Sequence, residues 1–237
     1  QRQRAGQDDS WTKDADVFGE WMKARISVPD MLYVSLSQLG ALSKDTPYVR
    51  AFYWASCPDC EYVNENFLKT YNLQSRTRWY AFDCDVEGVR YLNGVKADRK
   101  AAEGTPGALA YLQYQAFMKT YGISLEGSAD FGYGRGYVPS FQFVSNGEVE
   151  DMDVYVNDGL EENTDGTYKI SQTYWDGTRD HEFFHYLPNG VITDFTKEAA
   201  LQSIPASDTD DGDWTHLAAA KYHDPLLKGF LDHYLGK

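Results

Sequence analysis

One stretch, Pro47 to Cys60 (PYVRAFYWASCPDC), constrains this chain more than any other. Tyr48, Val49, Phe52, Tyr53 and Trp54 are β-branched or aromatic, the composition of a strand. A short Ala55-Ser56 elbow leads into Cys57-Pro58-Asp59-Cys60. Beyond it Val63, Phe67, Leu68 and Tyr71 fall at helical spacing. The first cysteine therefore sits where a strand hands over to a helix. A helix start offers unpaired N–H groups and the positive end of the macrodipole, and both favour a thiolate over a thiol. Pro58 suits the first helical turn because it has no N–H to leave unpaired. A dithiol in this setting can exchange with another disulfide.

The totals narrow the class. The chain has 237 residues, 42% hydrophobic and 24% charged, enough to bury a core. A net charge of −14 without a basic run argues against nucleic acid and against an anionic membrane surface as partners. No apolar run reaches the length of a membrane span. Three cysteines are too few for a disulfide-stapled scaffold: two form the CxxC and Cys84 is left over. A CxxC can be half of a zinc site, but neither Cys84 nor the histidines supply the second half at ligand spacing. The chain opens on Gln1, which fits a mature form trimmed of a leader and either secreted or lipid-anchored upstream.

Taken in order, residues 1–10 are polar, and Ser10 or Asp14 caps a helix to about Ile26 that carries Val17, Phe18, Trp21 and Met22 on its apolar face. A strand over 31–36 and a short helix from Gln38 to Lys44 precede the strand already described. Arg76 to Val86 reads as a strand with Trp79, Ala81 and Asp83 on one face and Tyr80, Phe82 and Cys84 on the other. Thr105 to Tyr121 is helical, opened by Pro106 and closed by Gly122, with Leu109, Leu112, Ala116, Phe117 and Met118 as its face. After a glycine-rich loop at 125–136, Val138-Pro139-Ser140 opens a strand. Asn146-Gly147, the strongest hairpin signal, returns it as Val149 to Val156. Residues 157–213 are Asp-, Gly-, Thr- and Asn-rich with little periodicity. Trp214 to Leu235 is helical, and Pro225 is expected to split it. Strands alternating with helices argue for a parallel core, and the hairpin adds an antiparallel edge.

In this order the segments resemble the thioredoxin superfamily. YVSLSQLGALSKDTPYVRAFYWASCPDC is similar to its first strand, first helix, second strand and active-site turn. RTRWYAFDCDVEG resembles the third strand, KTYGI the segment before its proline, and VPSFQFVSNGEVE the cis-proline strand with its hairpin. The resemblance covers roughly 31–158 and the last helix. It implies an α/β, thioredoxin-like fold with a central mixed sheet flanked by helices. It further implies an N-terminal helical extension over 1–30, and a domain over 31–237 with insertions at about 88–136 and 157–213. Position by position, Cys57 resembles the attacking cysteine, Cys60 the resolving one, and Pro139 the cis-proline facing the dithiol. Val138 would supply backbone contacts to a bound segment, because the cis bond lets an extended chain pair beside the disulfide. Trp54, Pro58, Asp59 and Cys84 are candidate modulators. Ala51 stands where many members carry a buried aspartate, and Ser140 follows the proline where threonine is usual. Asp59 places a negative charge beside the dithiol, opposing thiolate formation, or serves as its proton acceptor.

The expected activity is thiol–disulfide exchange on protein thiols and disulfides, without a cofactor, in a secreted or cell-envelope setting outside the cytoplasm. The competing reading is a cell-envelope binding or accessory protein on the same scaffold without turnover, with FGYGRGY (131–137) as its recognition surface. Cys84 reads first as a small buried hydrophobe and only second as a third redox thiol. His181-Glu182-Phe183-Phe184-His185 matches HExxH, the zinc-hydrolase pattern. Gly177 and Pro188 leave it little helix, and a third ligand would have to come from His216, His223 or Asp194, so no metal site is expected. Glu161-Asn163-Asp165-Gly166 imitates the first half of a calcium loop, but Gln172 stands where the bidentate Glu belongs. Asp208, Asp210, Asp211 and Asp213 are out of register, so solvated loops are the preferred reading.

Overall fold

The computed structural model describes residues 31–54, 57–71, 75–123, 138–154, 160–170, 196–202 and 214–236. The expected helix over 10–26, the 131–137 loop and the HExxH stretch lie outside them. The core is an α/β arrangement around a five-stranded mixed sheet. Its strands are β1 (Met31–Tyr33), β2 (Tyr48–Tyr53), β3 (Arg78–Asp83), β6 (Ser140–Ser145) and β7 (Glu148–Val154), in the order β1-β3-β2-β6-β7. β3 pairs in parallel with both β1 and β2, whereas β6 runs antiparallel to β2 and to β7. The parallel core and the antiparallel hairpin edge agree with the expectation from the sequence.

Side-chain alternation along β2 builds two layers. Arg50 and Phe52 face one way, toward α3 (Pro106–Thr120). There Phe52, Phe82, Tyr114, Phe117 and Tyr121 form an aromatic stack, with Phe82–Phe117 centroids 5.4 Å apart and Tyr114–Phe117 6.2 Å apart. Such rings remove large apolar areas from water in defined geometry. Arg50 is buried in this layer. Its Nε donates to Gln142 Oε1 at 2.8 Å and its guanidinium to the Tyr121 carbonyl at 3.0 Å, just past the C-terminus of α3, where a cation is favoured. Val49, Ala51 and Tyr53 face the other way, toward α2 (Pro58–Asn66) and α5 (Trp214–Leu235). Tyr234 stacks on Phe143 with centroids 4.3 Å apart, and two buried carboxylates tie β7 to α5. Asp151 accepts from the Tyr234 hydroxyl, and Asp153 lies 2.8 Å from His223 Nε2.

Several elements differ from expectation. The first strand ends at Tyr33, because Ser35 and Gln38 form a capping box that starts α1 at Leu36, and α1 ends at Gly40. The buried face of α3 is Ala110, Tyr114 and Met118. Leu112 is 57% exposed and Tyr114 only 3%, because Tyr114 joins the aromatic stack. A second Asn-Gly pair, Asn93-Gly94, with φ of 50 and 79, turns a small hairpin of β4 (Tyr91–Leu92) and β5 (Val95–Lys96). The stretch read as aperiodic holds a hairpin of β8 (Leu160–Glu162) and β9 (Tyr168–Ile170), and α4 (Lys197–Gln202). Here Asp165 accepts from the Thr167 N–H and hydroxyl, so these residues build a turn. Pro225 lies inside a continuous α5 and does not split it. Leu226, Leu227, Phe230 and Leu231 are buried just beyond it and hold the helix on the core.

Phe52→Ala is expected to lower the unfolding free energy by about 3–5 kcal/mol. Leu112→Ala is expected to change it by no more than about 0.5 kcal/mol. Urea unfolding of both variants checks which face of α3 carries the packing.

Candidate functional site

β2 delivers the chain to the C-terminal edge of the sheet. The Cys57 N–H donates to the Trp54 carbonyl at 3.1 Å, and α2 starts at the next residue with Pro58 in its first turn. Cys57 is the N-cap of α2: its backbone is extended and its sulfur accepts the Cys60 N–H at 3.1 Å. A sulfur thus takes the place usually held by a capping oxygen, and it faces the positive end of the helix. Cys57 and Cys60 are both free thiols, 7% and 3% exposed. Burial holds the Cys60 thiol well above its ordinary value. A hydrogen bond donated to Cys57, the charge of Cys57 and, last, the Asp59 carboxylate act in the same direction. Asp59 thus has the sign expected of a neighbouring negative charge.

β6 brings the second half of the site. The Val138–Pro139 bond is cis, and the Val138 carbonyl lies 3.7 Å from Cys57 Sγ. Ser140, the next residue, is fully buried and pairs with Phe52 across β2 and β6. Residues far apart in the chain, Cys57, Cys60 and Val138-Pro139, therefore meet at one end of the sheet. Ala51 lies in the sheet interior between Ala81 and Phe141.

Trp54 and Cys84 belong to the opposite layer. Trp54 Nε1 donates to the Tyr114 hydroxyl at 2.8 Å, and that hydroxyl in turn faces the Cys84 sulfur. The Arg90 guanidinium sits 3.6 Å from the Trp54 ring centroid and pairs with Asp85 at 2.9 Å. A buried cation against an indole face is a favourable contact. The effect is to anchor Trp54, the residue that enters the cysteine turn. Arg90 carries no motif and Tyr114 lies a helix away, so neither was legible beforehand. Cys84 is fully buried, and its side chain alternates away from Asp83 and Tyr53 toward α3. That places a sheet between it and the CxxC pair, as a small core residue. Burial, then the Asp83 carboxylate, hold its thiol well above the ordinary value.

His181, Glu182 and His185 lie outside the described residues, as do Asp194 and the Asp208–Asp213 cluster. His223 is engaged by Asp153 inside the core. Among the described residues no three His, Cys, Asp or Glu side chains gather as a metal set, and no helix is long and apolar enough to cross a membrane. Comparison with family models, with curated proteins and with solved structures finds no match.

Native Cys84 is expected to resist alkylation and to label only on unfolding. Its raised pKa also has a sign in stability. The contribution is full below the pKa of an unfolded thiol and is lost as pH rises toward the folded value, because only the unfolded chain then releases the proton. Between about pH 8.5 and about pH 10, the wild type is expected to lose stability faster than Cys84→Ala, by up to about 1.4 kcal/mol per pH unit. Denaturant midpoints across that range measure it.

Proposed function

We propose that this chain is a thiol–disulfide oxidoreductase of thioredoxin-like architecture that acts on protein disulfides through Cys57 and Cys60. One observation carries the reading. Cys57 caps α2 through its sulfur, Cys60 lies one turn on, and the Val138 carbonyl before cis-Pro139 stands beside that sulfur. A sulfur held at a helix start meets the backbone N–H donors gathered there. A carbonyl beside it belongs to backbone that an extended partner segment can pair with.

The exchange follows from these positions. Cys57 as thiolate attacks a partner disulfide, one partner sulfur leaves as a thiolate, and a mixed disulfide joins Cys57 to the other. Cys60 then gives up its proton and attacks Cys57 Sγ. The Cys57–Cys60 bond forms, the bond to the partner breaks, and the partner departs as a thiolate that takes up a proton. The partner disulfide is reduced by two electrons and the dithiol is oxidised. Burial of Cys60 keeps it protonated until the mixed disulfide forms, which separates the roles of the two thiols.

Cys57→Ser is expected to abolish reduction of a protein disulfide such as that of insulin. Cys60→Ser is expected to accumulate mixed disulfides, visible as adducts on non-reducing gels. If both variants match the wild type in turnover and in trapping, the proposal fails and the scaffold is a binding module without turnover.

A further inference from the structure

One side chain at the base of the β4–β5 hairpin reaches back to the strand that carries the cysteines. Arg90 is buried there, and its carbonyl accepts the Ala97 N–H at 2.7 Å, across the base of the hairpin. Its guanidinium donates to Asp85, just past β3, at 2.9 Å. The same group lies over the Trp54 ring, 3.6 Å from the centroid. From α3, the Tyr114 hydroxyl accepts the Trp54 Nε1–H at 2.8 Å. The indole is thus held at its face by one element and at its nitrogen by another. The main chain of the same residue meets the dithiol. The Trp54 carbonyl accepts the Cys57 N–H at 3.1 Å, and the Trp54 N–H meets the Cys60 sulfur.

We propose that Arg90 and Tyr114 are positioning residues for the dithiol: by clamping the Trp54 ring they fix the Trp54 main chain against Cys57 and Cys60. The inference rests on the dithiol-exchange reading above and adds two residues to its machinery. Both act through Trp54 and not on the reacting sulfurs. The guanidinium is paired with Asp85, so Arg90 contributes by placing the ring. A planar guanidinium can cover an indole face while its edge holds a carboxylate, which a lysine ammonium cannot do in the same way. Exchange depends on such placement. Cys60 must approach Cys57 Sγ opposite the departing sulfur, and a small displacement of reacting atoms costs rate steeply. Only Ala55 and Ser56 separate Trp54 from Cys57 in the chain, so a Trp54 carbonyl that shifts takes the Cys57 N–H with it.

The test treats the full, reduced chain with Ellman's reagent. One thionitrobenzoate is released when the reagent joins Cys57. A second is released when Cys60 attacks Cys57 Sγ, closes the Cys57–Cys60 disulfide and expels it. Stopped-flow absorbance separates the two releases. Arg90→Lys keeps a cation for Asp85 but loses the planar face over the indole. It is expected to slow the second, unimolecular release by about tenfold. In a Trp54→Leu background the same substitution is expected to change that rate by less than about twofold, because the ring it acts through is gone. Tyr114→Phe removes only the hydroxyl that holds the indole nitrogen. It is expected to slow the same step, and it carries the test should Arg90→Lys fail to fold. A second release at the parent rate in the folded variants overturns the role. So does a slowing by Arg90→Lys that persists in full without the Trp54 ring, which marks a general packing effect. A parent protein that forms no Cys57 adduct, or never expels it, overturns the dithiol-exchange reading itself and this role with it.

Discussion

β2 pairs in parallel with β3 along one side and antiparallel with β6 along the other, and each of its residues is buried. Such a strand can leave the sheet only at its ends. The C-terminal end therefore becomes the place where Trp54 and Cys57 must emerge, beside the start of β6. Reversing β6 relative to β2 is what brings Val138-Pro139 to that same end: the strand that leaves the site is flanked by one that begins there. The mixed direction of the sheet and the position of the cysteine turn are thus one constraint.

The two layers divide the labour around that turn. On the α3 side, rings from β2, β3 and α3 stack and Arg90 closes over Trp54, which anchors the chain just before the cysteines. On the α2 and α5 side the core admits polar groups. Asp151 and Asp153 are met by Tyr234 and His223, and the buried Cys60 thiol is hydrogen-bonded to Cys57. Buried polar groups are ordinarily satisfied. Burial, before any neighbouring charge, holds that thiol well above its ordinary value.

Much of this was legible in residues alone. Strand-forming composition marked β2, the turn chemistry of Asn146-Gly147 marked the β6–β7 hairpin, and Pro106 and Gly122 bracketed α3. The failures have physical reasons. Leu109 and Leu112 look like a packing face by hydrophobicity, yet the aromatic rings of Tyr114, Phe117 and Tyr121 match the surface of Phe52 and Phe82 better and rotate the helix onto them. Pro225 breaks helices by local cost, but buried Leu226, Leu227, Phe230 and Leu231 outweigh that cost. The strands flanking Asn93-Gly94 are only two residues long, too short to show an alternation in the sequence.

By itself the sequence determined the strand-to-helix handover at Cys57, the alternation that sends Cys84 and Asp83 to opposite faces, and the mixed character of the sheet. Those are local properties of spacing and stereochemistry. Only the tertiary structure decided that Val138 stands beside Cys57, that Arg90 and Tyr114 brace Trp54, and that Tyr53 shares the layer of Cys60. Such meetings depend on which strands neighbour one another and on how each helix rotates against the sheet. Both are set by the packing of side chains distant in the chain, and no short stretch of residues encodes them.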